Sequence, residues 1–405
     1  MNNRNITLGY VLITLQNSFF WYAPWLLYVY QYIDIKQATL LQLIGLLTRV
    51  IAEIPSGTVA DLMGKKKTLL IAFFLSGLGE ITMAFSTTFS LLVVSYVINS
   101  LGSSFFSGTI DAFMYDSLLE KKDEKKYPSV LGKSNAYQNM ATAIATLTGG
   151  FMFQIWGGLP FLITGIAKFA GMFIAFRITE PTVDTFSFSA KNFVNQTAKG
   201  IRHLFSKNLI RLTLLTLLMG SFSVVVYEIL DDVAVVDWGY SATSISILYT
   251  TVILLSIPSS FLYERVAKVI KPPMIVVGAI LILVINYIFS PLINVYVWSF
   301  IFLLRVIYSP LKTAAVTDII NTNVASNIRA TTLSTYELLI RIPFVMFGVY
   351  IGTSLKDMGV KNFSVLFSGS LLMLLLIYFL IILIIKLRKT TNNRNAYTII
   401  SKPVG

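Results

Sequence analysis

Between two apolar runs the chain reads Gly57-Thr58-Val59-Ala60-Asp61-Leu62-Met63-Gly64-Lys65-Lys66-Lys67. A small residue such as Gly57 lets two helices approach closely, and Gly64 permits a tight turn between them. Asp61 stands where a carboxylate can accept hydrogen bonds from the backbone N–H groups that begin the next helix. The lysines suit a loop held at an anionic lipid surface. The stretch therefore predicts a short basic turn between two membrane helices.

The apolar runs on either side of this turn recur along the whole chain. Hydrophobic residues make up 55% of it and charged residues only 13%, against about 25% charged residues in ordinary globular chains. A spanning helix needs roughly 20 mostly apolar residues. The runs predict an all-α membrane protein with twelve transmembrane helices, at 6–30, 40–61, 68–88, 89–117, 135–157, 159–179, 209–233, 241–262, 273–290, 292–318, 330–355 and 362–387.

The longest stretch between predicted spans divides the chain into two sets of six helices. We expect an N-terminal bundle over 1–179, a central linker over 180–208, a C-terminal bundle over 209–387 and a tail over 388–405. In the linker, apolar residues recur at helical spacing among basic ones. This pattern fits either a short helix lying in the membrane interface or an irregular basic linker. The apolar positions are Val194, Ala198, Ile201 and Phe205.

A weak internal repeat supports two related halves. Ile54-Pro55-Ser56-Gly57 precedes Asp61, and Ile257-Pro258-Ser259-Ser260 precedes Glu264 at the same spacing. Nearly the same offset relates Asp116 to Asp318. Parallel repeats of this kind are found in transporters whose halves arose by duplication.

The distribution of Lys and Arg predicts the orientation. Of the 32 such residues, 24 fall in loops, tails or adjoining helix ends on the side of the N-terminus, five lie deeper within predicted spans, and three lie opposite, namely Lys36, Lys356 and Lys361. Basic residues concentrate in cytoplasmic loops, so we expect a plasma-membrane protein with both termini in the cytoplasm. The net charge of +13 then reflects loops that face anionic lipid, and no nucleic-acid partner is expected. The first apolar run is too long for a cleaved signal peptide.

The turn at residues 57–67 resembles the signature loop of the major facilitator superfamily, and the preceding Glu53-Ile54-Pro55-Ser56 resembles that of its bacterial drug-efflux branch. In that family the loop acts as a conformational latch, which here would comprise Gly57, Asp61, Gly64, Lys65, Lys66 and Asp116. Leu62 stands where the family has a basic residue. The copy in the second half has Glu264 and Arg265 but lacks the glycines.

The resemblance also implies a central cavity lined by helices 1, 4, 7 and 10. It places the following residues in that cavity: Gln16, Asn17, Tyr22 and Trp25 on helix 1, Asp111 on helix 4, Glu228 and Asp231 on helix 7, and Arg305 on helix 10. Aromatic rings there can stack on a flat or cationic substrate, although such rings also form interfacial belts. We interpret Asp232 as an ordinary helix end, and Asp231 is open to the same interpretation.

Ionisable residues at membrane depth are functional candidates by default, because each costs about 2.5–3.5 kcal/mol or more. Arg49, Glu53 and Glu80 have similar depths and predict a buried network, either a structural ion pair or a proton relay. Lys312, Glu337 and Arg341 predict a second, mainly structural network in the other half. The candidates for proton coupling are Glu228, Asp111, Asp231, Glu53 and Glu80. Glu228 is the first candidate among these, because no basic residue of its own helix lies close enough to pair with it.

These features favour proton-driven efflux of amphipathic or cationic small molecules, as in multidrug antiporters. The alternative is a transporter of a specific metabolite or peptide, for which Arg305 and Lys168 would attract an anion. A remote alternative is a transport-dead membrane sensor. The chain has no nucleophile–base pair, no metal-ligand spacing and no cysteine, so we expect neither an enzyme, a cofactor nor a metal. The expected partners are a small-molecule substrate, protons and the lipid bilayer, with the chain acting as a monomer.

Overall fold

A computed structural model gives the architecture. It describes the backbone of residues 4–182, 190–206, 209–259, 261–290, 292, 294–303, 305–324 and 326–400. Within these ranges the structure does not describe every side chain; those of residues 57–61, 305–307 and 326–331 are among the ones left out. The described residues form helices and the connections between them, with no strand. Sixteen α-helices follow one another along these parts of the chain.

The first half of the chain begins with a helix in two pieces. Residues 17–24 separate α1 from α2, so the continuous helix expected over 6–30 is wrong. Pro24, which has no N–H to donate to a preceding turn, immediately precedes α2. The elements of this half are α1 (Arg4–Gln16), α2 (Trp25–Val29), α3 (Ile35–Met63), α4 (Lys65–Ala84), α5 (Phe89–Leu119), α6 (Tyr127–Ile155) and α7 (Leu159–Ala175).

A helix in the linker, α8 (Ala190–Leu204), confirms the helical interpretation of that segment. Beyond it, a π-helical turn at Val226–Leu230 joins α9 (Ile210–Val225) to α10 (Asp231–Asp237). The later helices are α11 (Ala242–Ser259), α12 (Leu262–Ala267), α13 (Pro272–Ile288), α14 (Val295–Leu303), α15 (Arg305–Asn323) and α16 (Ser326–Ile400). The expected separate helices over 330–355 and 362–387 are joined in α16, which is kinked at Gly359, where φ is 74°.

Six helices are long and apolar enough to cross a membrane, judged by length and composition over the described residues. They are Ile35–Glu53, Lys65–Ala84, Phe89–Leu119, Ile210–Asp237, Tyr296–Asn323 and Thr332–Ile385. The last holds 54 residues, and at about 1.5 Å per residue this is more than twice the length that one crossing requires. Three shorter apolar helices are Leu159–Ala175, Ala242–Pro258 and Pro272–Ile288.

Hydrogen bonds and ion pairs define two ends of the molecule. At one end the Asn5 side chain bonds the Thr179 carbonyl at 2.9 Å, and Lys65 pairs with Asp116. At the other end Tyr28 donates to the Ala84 carbonyl at 3.0 Å, and Lys356 pairs with Asp34. We call the first the lysine-rich end and the second the lysine-poor end, after the basic residues in their connections.

The two halves of the chain meet along two helix pairs, α3 with α16 and α6 with α11. Gly150 of α6 lies so close to Ala242 and Ser246 of α11 that a Cβ there would clash with both. One apolar cluster of buried side chains runs through both halves and includes Leu26, Ile229 and Trp298. A second cluster, around Leu12, Phe73 and Phe113, belongs to the first half alone. The halves are therefore joined by packing on the side of the lysine-poor end.

Candidate functional site

A cavity of about 330 Å³ lies where the two halves meet. Its described lining holds four carboxylates and one guanidinium, from Glu80, Glu228, Asp231, Asp232 and Arg49. Aromatic rings form much of the remaining wall, including Trp21, Tyr22, Trp25, Tyr96, Tyr227 and Tyr249. A half-enclosed, aromatic pocket with an excess of negative charge is suited to an organic cation.

The break in helix 1 brings its aromatic residues into this cavity. Trp21 lies in the non-helical segment and donates its indole N–H to Glu80 Oε1 at 2.8 Å. The Asn99 amide donates to the same oxygen. Tyr22 meets Tyr249 edge to face, with ring centroids 6.0 Å apart. Tyr22 and Trp25 thus lie in the cavity as the sequence predicted, but through a broken helix that it did not predict.

The π-helical turn carries Glu228 into the same cavity. Its carboxylate lies 3.9 Å from the Arg49 guanidinium, and its backbone carbonyl accepts a hydrogen bond from Gln42 at 3.0 Å. Both partners belong to α3, in the other half of the chain. The sequence analysis found no basic partner for Glu228 within helix 7, and the structure supplies one from α3, in the other half. Single π-helical turns are frequent at functional sites.

Two consecutive carboxylates follow this turn. Asp232 is only 7% exposed and accepts hydrogen bonds from Trp25 Nε1 and from the Tyr249 hydroxyl, each at 2.6 Å. Asp231 is also buried and accepts a hydrogen bond from Tyr287. The interpretation of Asp232 as an ordinary helix end is wrong, because the helix continues to Asp237. Trp25, Asp232 and Tyr249 instead connect the two halves beside the cavity.

The predicted network of Arg49, Glu53 and Glu80 is not present. Arg49 pairs with Glu228 and Glu53 is exposed. Glu80 instead has Lys168, a fully buried residue of α7, as its nearby charge. These residues have similar predicted depths, but depth along a helix does not show which face of the helix each side chain occupies.

The remaining predicted cavity residues lie elsewhere. Gln16 is buried outside the described lining, and Asn17 donates its amide to the Ile13 carbonyl at 2.8 Å. Asp111 is exposed and also lies outside that lining. The side chain of Arg305 lies outside the described residues.

A second cavity, of about 280 Å³, contains the other predicted network. Lys312, Glu337 and Arg341 all line it, yet no ion pair within 4 Å joins any of them to another described residue. The Lys312 ammonium lies over the Tyr227 ring, 5.6 Å from its centroid. The sequence thus placed these three residues together but wrongly made them an ion-pair network.

The basic turn at the lysine-rich end is held by two carboxylates. The ammonium of Lys65 lies 2.6 Å from Asp116, and both residues are buried. Glu180 accepts hydrogen bonds from the backbone N–H groups of Lys65 and Lys66, at 2.6 and 2.7 Å. The sequence assigned this role at the start of α4 to Asp61, whose side chain lies outside the described residues, as do the surroundings of Gly57. Gly64 adopts a φ of 86°, which favours glycine.

The corresponding position in the second half is built differently. Asp318 accepts a hydrogen bond from the Tyr263 hydroxyl at 2.6 Å. Glu264, the sequence counterpart of Asp61, forms an exposed ion pair with Lys268 at 3.3 Å. A neutral hydroxyl therefore replaces the buried ammonium that Asp116 contacts in the first half.

The family model for the Major Facilitator Superfamily matches residues 6–348. The chain belongs to this superfamily. Relatives in this superfamily are transporters, and so are solved proteins of similar fold. This supports a non-enzymatic role indirectly.

Two relatives from Bacillus subtilis (strain 168) are described as uncharacterized MFS-type transporters. YwoD is 28% identical over 116 residues, which cover 28% of this chain and 24% of YwoD. YfiU is 31% identical over 102 residues, which cover 25% of this chain and 19% of YfiU. The chain thus matches less than a quarter of the length of either relative.

Solved structures share the fold at low sequence identity. The nucleoside transporter NupG has a TM-score of 0.76 at 12% identity, covering 94% of this chain and 98% of that one. A bacterial homolog of the human lysosomal transporter Spinster, in an inward-facing and unoccupied conformation, has a TM-score of 0.72 at 14% identity, covering 93% and 95%. A peptide transporter in complex with sulfate has a TM-score of 0.71 at 14% identity, covering 93% and 94%.

Proposed function

We propose that this superfamily member is a secondary active transporter that exports amphipathic organic cations in exchange for protons. The observation that carries the proposal is the charge of the cavity, whose described lining has four carboxylates against the single guanidinium of Arg49. A cation entering a low-dielectric cavity of this kind gains from the carboxylates and from the faces of the aromatic rings.

The transport path that we propose runs between two six-helix bundles. In this arrangement the kink at Gly359 separates two crossings of α16, and the two pieces of helix 1 form one crossing. The bundles comprise residues 1–179 and 209–387, joined by the linker over 180–208. The lysine-rich end and both termini face the cytoplasm, since basic loops favour that side. The path lies within one chain, so a monomer suffices.

The conformation fits a state closed toward the outside. The described polar contacts between the halves lie at the lysine-poor end or at the depth of the cavity. They are Asp34 with Lys356, Gln154 with Thr243, Trp25 with Asp232, Arg49 and Gln42 with Glu228, and Thr250 with the Ala143 carbonyl. Alternating access requires these contacts to break when the cavity opens to the outside.

A second candidate is transport of a specific metabolite or peptide. Amide and hydroxyl groups also line the cavity, from Gln42, Asn99, Ser100 and Ser103. Such groups hold an uncharged polar substrate in a fixed orientation. The fold shared with nucleoside and peptide transporters is compatible with this alternative. At 12–14% identity, the similarity shows the fold and does not indicate the substrate.

Counterflow exchange in proteoliposomes distinguishes the two candidates without an imposed proton gradient, because the preloaded substrate itself drives uptake of the labelled form. Vesicles preloaded with ethidium, uridine or dialanine are diluted into the labelled form of the same compound. We expect ethidium to exchange and the other two not to, and we expect Asp232→Asn to slow ethidium exchange at least tenfold. The matched control is Glu264→Gln, which alters an exposed carboxylate outside the described cavity lining. Exchange of uridine or dialanine alone would establish the second candidate and overturn the first.

A further inference from the structure

Three polar side chains hold the broken segment of helix 1. Thr164 accepts a hydrogen bond from the Phe20 backbone N–H at 3.1 Å, and Lys168 donates to the Gln16 carbonyl. Glu80 accepts from the Trp21 indole at 2.8 Å. The first two side chains belong to α7 and the third to α4. Two of the three groups that hold the segment with Tyr22 and Trp25 in the cavity, Glu80 and Lys168, are therefore titratable.

Lys168 lies where a helix end needs a positive charge. Its side chain is fully buried, with an exposed fraction of 0%. Gln16 is the last residue of α1, where carbonyl groups lack donors from a following turn and a cation is favoured. The ammonium also lies 4.4 Å from the centroid of the Phe19 ring. The Lys168 ammonium thus places a positive charge at the C-terminal end of α1, where helix 1 is broken.

Glu80 is an acidic neighbour of this cation, although no ion pair within 4 Å joins the two side chains. Their helices pack closely here: a Cβ at Gly77, three residues before Glu80 on α4, would lie 3.3 Å from the Lys168 Cβ. Glu80 is 2% exposed and also lines the substrate cavity. Among the elements packed against α7, α4 supplies Glu80, and α1 with the segment after it supplies the Gln16 carbonyl and the Phe19 ring. Residues 141–155 of α6 contain no titratable side chain. Tyr96 and Asn99 of α5 face Glu80 from the cavity side.

We propose that Glu80 and Lys168 together form the binding site of the coupled proton, and that protonation of this pair expels a cationic substrate from the cavity. This inference rests on the proposed function for its substrate class, but the proton site can be tested without any substrate. Before proton binding, the pair is a carboxylate and an ammonium with no net charge. One proton adds to a Glu80 oxygen and leaves a neutral carboxylic acid beside the ammonium of Lys168.

Proton binding makes the cavity wall one charge more positive. The ammonium of Lys168 then lacks its counter-charge and repels a bound cation, while the carboxylic acid loses its attraction for the Trp21 and Asn99 donors. Release of the proton restores the neutral pair and the affinity for the cation. Two ligands that weaken each other's binding in this way have the reciprocal coupling that exchange requires.

Difference infrared spectroscopy of the full chain in lipid tests the proton site directly. Acidification should produce the carbonyl-stretch band of a protonated, buried carboxylic acid. We expect the Glu80 component of this band to be lost in Glu80→Gln. In Lys168→Met the same component should appear at higher pH, because the Glu80 carboxylate there has lost the nearby cation. The matched control is Glu264→Gln, in which the band should stay. A band with wild-type intensity in Glu80→Gln would overturn the proposal, whereas a weaker residual band would belong to the other buried carboxylates of the cavity lining, Asp231 and Asp232.

Binding of ethidium, followed by fluorescence at several pH values, tests the link to the substrate. For competition by one proton, wild-type affinity should fall by up to about tenfold per pH unit on acidification. Glu80→Gln mimics the protonated pair, so its affinity should be low at every pH. The double variant Glu80→Gln/Lys168→Met restores a neutral pair, so its affinity should return to within about threefold of the wild-type value at alkaline pH and not vary with pH.

The outcomes separate the proton site from the proposed function. A double variant whose affinity still follows pH would overturn the role of the pair, whatever its effect on folding. If wild-type protein binds no ethidium while the infrared band depends on Glu80 and Lys168, the substrate class fails and the proton site stands. If ethidium binds and the band is independent of both residues, the proton site fails and the substrate class stands.

Discussion

Lys356 of α16 donates a hydrogen bond to Asp34, the N-cap of α3, at 2.8 Å, and thereby ties the second half of the chain to the first. The contact lies at the lysine-poor end, above the cavity. The hydrogen bonds from Lys356 and from the Gln37 backbone hold the pKa of Asp34 below its ordinary value. The pKa is lowered only in the closed state, in which Asp34 is paired. The stabilisation of that state by the ionised Asp34 is therefore present at neutral pH and is lost as the pH falls through the lowered pKa.

Removing this contact should loosen the lysine-poor end. The chain has no cysteine, so a single cysteine replacing Ser103 in the cavity wall reports access without interference. We expect Lys356→Met to speed labelling by a membrane-impermeant maleimide from the lysine-poor side several-fold. Lys361→Met, at the same end and outside the ion pair, is the control. High salt should reproduce part of the effect in the wild type, because the pair is exposed. Equal labelling rates in the two variants would show that the pair does not hold this end closed.

Reporter fusions test the orientation. Fusions at residues 36, 239 and 358 should report the outside of the cell, because the predicted loops at these positions hold few basic residues. Fusions after residues 66, 125, 195 and 400 should report the cytoplasm. The measurement is the ratio of a phosphatase activity that needs export to the fluorescence of a reporter that needs the cytoplasm. Chain ends on opposite sides would contradict the twelve-helix arrangement.

The turn between α3 and α4 should be required for transport. We expect Asp61→Asn and Gly57→Leu to insert normally and to reduce ethidium exchange at least tenfold. Asp116→Asn should also lower stability, because loss of one partner of a buried ion pair costs about 3–5 kcal/mol. Lys65→Met combined with Asp116→Leu should recover most of that loss in a thermal-unfolding measurement while transport stays impaired. Wild-type rates of ethidium exchange in all these variants would show that the turn is not required for transport.

The Arg49–Glu228 contact should govern closure and not proton binding. Glu228→Gln weakens an attraction between the halves, so we expect slower gradient-driven transport, with energy-independent exchange and pH-dependent ethidium binding retained. Asp231, which hydrogen-bonds Tyr287 within the second half, serves as the comparison through Asp231→Asn. If Glu228→Gln abolishes the pH dependence of binding, the proton belongs to Glu228 and not to the Glu80–Lys168 pair.

The sequence revealed the apolar spans because a bilayer imposes their length and composition directly. It also placed Tyr22, Trp25 and Glu228 in the cavity through the resemblance to a superfamily. It did not reveal the break after Gln16. Pro24 was a signal for this break, since proline cannot continue the hydrogen bonding of a preceding helical turn.

The pairings in the site could not be predicted from local sequence patterns. Lys168 and Glu80 lie on different helices, as do Arg49 and Glu228. Helical periodicity shows which residues share a face of one helix but not which helix lies opposite. Asp232 could have indicated a buried polar contact. Two consecutive acidic residues within an apolar run are costly to bury unless each has a hydrogen-bonding or charged partner.

Accumulation of ethidium in proteoliposomes under an imposed pH gradient tests the exchange of a cation for protons. Ethidium carries a fixed charge, so acid trapping of a neutral form does not occur. With an acidic lumen, we predict accumulation against the ethidium gradient in wild-type vesicles, collapse on addition of a proton ionophore, and none in Glu80→Gln vesicles. Accumulation no greater than in protein-free vesicles, or accumulation that persists with the ionophore, would contradict proton-driven transport.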